Sequence, residues 1–148
     1  MEEINNLKLT PAESYFIQDP KQADGKNLMK YSLLHLIYKK ILVSEVIEEE
    51  EGLFTKNKVN ITYIDRYEKF TMTGLKPHES IFCSAINYSE KMKLRTLIEK
   101  VGKKYSFSKY HKLIQNQLIQ DGVMVQKEKK FWIFKYKRPE LSELGQDI

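Results

Sequence analysis

Leu9-Thr10-Pro11-Ala12-Glu13-Ser14-Tyr15-Phe16 near the start of the chain returns as Leu75-Lys76-Pro77-His78-Glu79-Ser80-Ile81-Phe82. Both segments read Leu-x-Pro-x-Glu-Ser-x-Phe. A chain that repeats such a signature is constrained to build one local structure twice, and the residue types say which. Proline suits the first position of a helix, because its φ is preset and the donor it lacks would go unpaired there. Glutamate two places on sits in the first turn, where the helix dipole favours negative charge. Thr10 with Glu13 carries the signature of a capping box. The leucine and phenylalanine are expected to point into a core.

A second correspondence follows in the same order. Leu36-Ile37-Tyr38-Lys39-Lys40-Ile41-Leu42-Val43 aligns with Leu118-Ile119-Gln120-Asp121-Gly122-Val123-Met124-Val125. Each reads as the end of an amphipathic helix passing through a tight stop into a β-branched strand. Gly122 holds the place beyond the helix end where a left-handed conformation is needed; Lys40 holds it in the first copy, under strain. Two landmarks in one order imply duplication.

Between the landmarks the second copy has about 16 more residues. They predict an extra helix from Ser89, its cap, to Val101, with Leu94, Leu97, Ile98 and Val101 as its apolar stripe. After each second landmark a hairpin is expected. The first joins Ile41–Ile47 to Lys58–Ile64 through a loop that contains Glu48-Glu49-Glu50-Glu51. The second joins Val123–Gln126 to Phe131–Tyr136 through the turn Lys127-Glu128-Lys129-Lys130. The expected fold class is therefore α+β and helix-rich. It divides into unit 1–64, linker 65–74, unit 75–138 and acidic tail 139–148.

Charge is distributed unevenly over these parts. Residues 1–90 hold 11 Lys+Arg and 14 Asp+Glu, whereas residues 91–138 hold 14 Lys+Arg and three acidic residues, a local balance of +11. Asymmetry of this kind points to an anionic partner. No apolar run approaches the roughly 18 residues that cross a bilayer, and the opening Met1-Glu2-Glu3-Ile4-Asn5-Asn6 lacks the features of a signal peptide. One cysteine, Cys83, excludes an internal disulfide and fits a reducing, cytoplasmic setting.

The sequence offers no phosphate loop, nucleophile elbow or spaced metal ligands, so neither catalysis, a cofactor, a metal nor a small-molecule substrate is expected. His78 reads as a surface residue at a helix start, His111 as the edge of a basic helix, and Cys83 as core. The glutamates 48–51 read as a solvated loop tip. On a short tether, that tip is also expected to cover the basic helix until a better anion competes.

The order helix, helix, helix, hairpin over 75–138 resembles the winged-helix family, with 9–64 as a degenerate copy. The opening helix also resembles the first helix of Golgi phosphoprotein 3-like proteins, from which the basic second half departs. The winged-helix resemblance makes 107–121 the recognition-helix equivalent. Periodicity puts Tyr110, Leu113, Ile114 and Leu118 on its buried side and Lys109, Lys112, Gln115 and Asn116 on the other. Lysine neutralises phosphates, while Gln and Asn can pair with adenine edges. Lys127, Lys129 and Lys130 would meet the backbone as a wing. Trp132 with Phe131 and Phe134 reads as hairpin packing or as a stacking platform for bases.

Two functions remain open. One is nucleic-acid binding, to duplex DNA foremost, by the basic unit, as in a regulator. The other is a non-enzymatic module for a protein partner or a homodimer, with Tyr31, Tyr38, Tyr63, Tyr67 and Phe70 as its surface.

Overall fold

The computed structural model describes residues 8–67, 74–86, 90–131 and 134–146. The fold is helix-rich α+β, with two small antiparallel sheets. Its elements are α1 (Pro11–Gln18), α2 (Gly25–Tyr38), β1 (Leu42–Glu51), β2 (Asn57–Arg66), α3 (Pro77–Ala85), β3 (Met92–Lys93), α4 (Leu94–Lys104), α5 (Phe107–Gln120), β4 (Met124–Phe131), β5 (Phe134–Leu141) and α6 (Glu143–Gln146). Among the described residues no helix is long and apolar enough to cross a membrane.

The two sequence landmarks build matching local structures. Thr10 and Lys76 have nearly identical N-cap dihedrals, φ −76°, ψ 160° and φ −75°, ψ 156°, and a proline follows each. Thr10 completes the capping box with Glu13, and its own N–H donates to the Glu13 carboxylate at 2.7 Å. Lys76 has no side-chain cap bond. Glu13, Glu79, Phe16 and Phe82 are all buried. At the second landmark the hydrogen bonds repeat one for one. Ile41 N donates to Leu36 O and Val123 N to Leu118 O, both at 2.9 Å; Lys40 N donates to Ile37 O and Gly122 N to Ile119 O, at 3.0 and 3.1 Å. This is the paired closure of a helix end by a left-handed residue.

By contact the chain forms two compact units, 1–31 with 107–148, and 32–106. These do not follow the repeat boundaries. Each unit combines the opening helix of one repeat with a terminal hairpin of the other.

In the unit of 1–31 and 107–148, α1 packs on α5 and Phe16 meets the His111 ring at 4.7 Å between centroids. Tyr110, Ile114 and Leu118 recur every fourth position of α5 and are fully buried, with Ala12, Phe16 and Leu28. α2 and α5 each run for 14 residues. They start in close approach, since a Cβ at Gly25 would lie 2.0 Å from Phe107 O. Only glycine fits that crossing.

The β4–β5 register corrects the expected turn. Met124 pairs with Leu141 and Phe131 with Phe134, so residues 127–130 lie along β4. The strand runs on past Tyr136 because a two-stranded ladder tolerates Pro139, whose missing N–H is no loss at an edge. The expected acidic tail is likewise part of the fold. Ser142 N donates to Val123 O at 2.9 Å, and buried Gly145 packs so closely that a Cβ there would lie 2.1 Å from Val123 O. Trp132 lies outside the described residues.

In the unit of 32–106 the sheet order is β1-β2-β3. The four glutamates are not a loop tip. They continue β1, with Glu48 opposite Asn60 and Glu51 opposite Asn57. Lys58 reaches Glu48 at 3.1 Å, Lys56 reaches Glu50 at 3.6 Å and Lys93 of β3 reaches Glu49 at 3.5 Å. The acidic run therefore has ion-pair partners inside its own sheet. It also puts charge on an edge strand, which discourages edge-to-edge aggregation.

The extra helix begins at Leu94 rather than at Ser89, which lies outside the described residues, because Met92 and Lys93 pair with β2 first. It runs through Gly102 to Lys104. Leu97 and Val101 are buried, while Ile98 at the end of the stripe is exposed. His35 Nδ1 meets the buried carboxylate of Glu79 at 2.6 Å.

Candidate nucleic-acid interface

α5 sorts its side chains as its period dictates. Opposite the buried Tyr110, Ile114 and Leu118, the side chains of Lys109, Lys112 and Asn116 are exposed. Their spacing of three and four sets them on one face. Leu113, expected in the core, is half-buried. Gln115 is separated from the lysines. It is half-buried and lines a groove of about 680 Å³ with Phe16, Pro20, Lys21, His111 and Leu141.

Lys127, Lys129 and Lys130 are brought together on one strand, where the register sets them against a second basic segment that sequence reading did not single out. Lys127 pairs with Arg138, Lys130 with Lys135, Lys129 with Tyr136, and Glu128 with Lys137. Residues 107–138 thus hold eight Lys+Arg and two acidic residues, a balance of +6. Lys137 and Arg138 lay beyond the expected strand end at Tyr136, and Lys135, inside it, had no assigned partner. Pairing outward from Met124 finds them.

Elsewhere the titratable groups have structural work. His78, expected at the surface, is fully buried, because Pro77 sets the helix start and turns position 78 inward as it does Ala12 in the first copy. Cys83 is buried, and desolvation pushes its thiol up to about 11. The Tyr63 hydroxyl donates to the Glu49 carboxylate, which holds Glu49 below the usual carboxylate value and Tyr63 above the usual phenol value. Among the described residues no three His, Cys, Asp or Glu side chains gather as a metal site.

Of the aromatic residues considered as a protein-binding surface, Tyr38 is 85% exposed, Tyr31 and Tyr67 are exposed, and Tyr63 is half-buried beside Glu49. Phe70 lies outside the described residues. A stronger apolar feature was missed. Leu53 and Phe54, between β1 and β2, are 96% and 100% exposed. Two adjacent large apolar residues in a connection were the available signal. Comparison of the chain with protein-family models, with curated proteins and with solved structures gave no match.

Proposed function

We propose that the protein binds nucleic acid, duplex DNA foremost, through the exposed face of α5 and the β4–β5 hairpin, without catalysis and in the cytoplasm. The observation that carries this reading is the hairpin register. Like charges directly opposite each other destabilise a strand pair, yet Lys127 faces Arg138 and Lys130 faces Lys135. Successive strand positions alternate between faces, so the two pairs lie on different faces of the ladder. A polyanion laid on either face relieves one of them and turns that cost into affinity through counterion release.

Lys109 and Lys112 supply further phosphate contacts. Asn116, on the same exposed face, is the side chain of α5 best suited to a base edge. In a winged-helix manner of binding a helix enters the major groove, and α5, packed beside β4, is the helix that would do so.

The test is anisotropy of labelled duplex DNA, single-stranded DNA and RNA at two salt concentrations. Binding to duplex that falls steeply with salt is the expected result. Absence of binding to all three at low salt would overturn the reading.

A further inference from the structure

The two faces of the β4–β5 ladder differ in composition. Partners across a ladder share a face, and positions along each strand alternate between faces. The base of the ladder shows which face belongs to the core. Met124, opposite Leu141, is 1% exposed, whereas Val125, opposite Glu140, is 37% exposed. Carried along the register, the core-side face takes Gln126 with Pro139, Glu128 with Lys137 and Lys130 with Lys135. The other face takes Lys127 with Arg138, Lys129 with Tyr136 and Phe131 with Phe134. Among the described residues beyond Met124, every aromatic position of the ladder falls on the face turned from the core. Aromatic residues kept for core packing would fall on the face of Met124 instead.

The spacing of that face says what it can hold. Same-face positions recur every second residue, about 6.6 Å apart along a strand that rises about 3.3 Å per residue. Each strand of duplex DNA advances only about 3.4 Å per phosphate, with its bases stacked on one another. A duplex offers this face its phosphates, but no base surface except that of its last pair. An unpaired strand can stretch to the spacing of the ladder, which parts its bases and frees them to stack on rings.

We propose that the face of Lys127, Lys129, Phe131, Phe134, Tyr136 and Arg138 is a site for single-stranded DNA that extends from a duplex. From base to tip the face runs from a pair of cations, through Lys129 with Tyr136, to a pair of aromatics. Phosphates nearest the duplex meet the cations, and the bases that follow stack on the rings. Every base has a face to offer, so the extension is taken whatever its sequence. The site rests on the reading that α5 and the hairpin bind nucleic acid, and it narrows the ligand. α5 packs on β4, so one DNA molecule can lie with its duplex at the helix and its unpaired strand along the ladder.

The test compares, by anisotropy at one salt concentration, a blunt duplex, the same duplex with a single-stranded extension, and the extension alone. Wild type is expected to bind the extended duplex on the order of tenfold more tightly than the blunt one. Tyr136→Leu, apolar but without a ring, is expected to lose most of that advantage, and Tyr136→Trp, which keeps a ring, to retain it. A photoreactive uracil in the extension is expected to mark the peptides of residues 129–138. Equal affinity for blunt and extended duplexes, a full advantage in Tyr136→Leu, or marking elsewhere would each overturn the proposal while leaving the duplex reading in place. Binding of the extension alone, dependent on the ring at 136 and without binding of the blunt duplex, would support the site and overturn the duplex reading. Binding of none of the three would overturn both.

Discussion

Lys40 and Gly122 hold the same left-handed backbone position, φ 57° and φ 78°, each two residues beyond a 14-residue helix and each donating to the carbonyl three residues before it. The conformation suits glycine and costs an ordinary L-residue about 1–2 kcal/mol. Lys40→Gly removes that strain and loses part of the gain to chain entropy. The expected outcome is stabilisation of about 0.5–1 kcal/mol in urea unfolding. Gly122→Ala should destabilise by about 1 kcal/mol or more.

His35 and Glu79 join α2 to α3 through a short hydrogen bond at a carboxylate that is only 4% exposed. His35→Ala strands that carboxylate, and an unsatisfied buried group costs about 1–3 kcal/mol. Glu79→Gln keeps an acceptor for the ring and should cost less. Equal stabilities for wild type and His35→Ala in urea would refute this account of the pair.

The Tyr63–Glu49 hydrogen bond sets a pH window. Glu49 is held below its unfolded value of 4.5, so its share of stability is present above that value and disappears as pH falls through the lower folded value. Tyr63 is raised above 10.0, so its share is present below 10.0 and disappears as pH rises through the folded value. The urea midpoints of wild type and Tyr63→Phe should therefore differ most between these limits and converge beyond both.

Cys83 is fully buried and its thiol is raised to about 11. Only the thiolate attacks disulfide reagents. Native protein at pH 8 should react with an aromatic disulfide far more slowly than the urea-unfolded chain. Equal rates would place the thiol in solvent and contradict the packing of α3.

For nucleic acid, Lys112→Ala should weaken binding to all sequences alike and lower the salt slope by about one unit. Asn116→Ala should act at one base position, at a cost of about 1–3 kcal/mol. Lys56→Ala, on the acidic hairpin, is the control and should leave the slope unchanged.

The sequence spoke most clearly where structure is local. The capping box at Thr10, the left-handed stops at Lys40 and Gly122 and the buried stripe of α5 all follow from spacings within four residues. Strand limits were less legible. Whether glutamates or lysines sit in a turn or a ladder is decided by partners such as Asn60 and Arg138, which no local pattern names. His78 was misjudged because a helix's second residue is exposed only if nothing packs over it. Of the candidate interface, the face of α5 was readable from periodicity, while Lys135, Lys137 and Arg138 needed the register.

The distribution of the repeats over the two units sets the order in which a growing chain can fold. All of residues 32–106 emerges as one stretch, so that unit can close while synthesis continues. α1 appears first but packs on α5, which begins at Phe107. At about 5–20 residues per second, the ribosome leaves α1 without its partner for roughly 5–20 s. Through that interval Phe16 is an apolar side chain awaiting a surface not yet made, and the earliest helix of the chain is among the last to find its place.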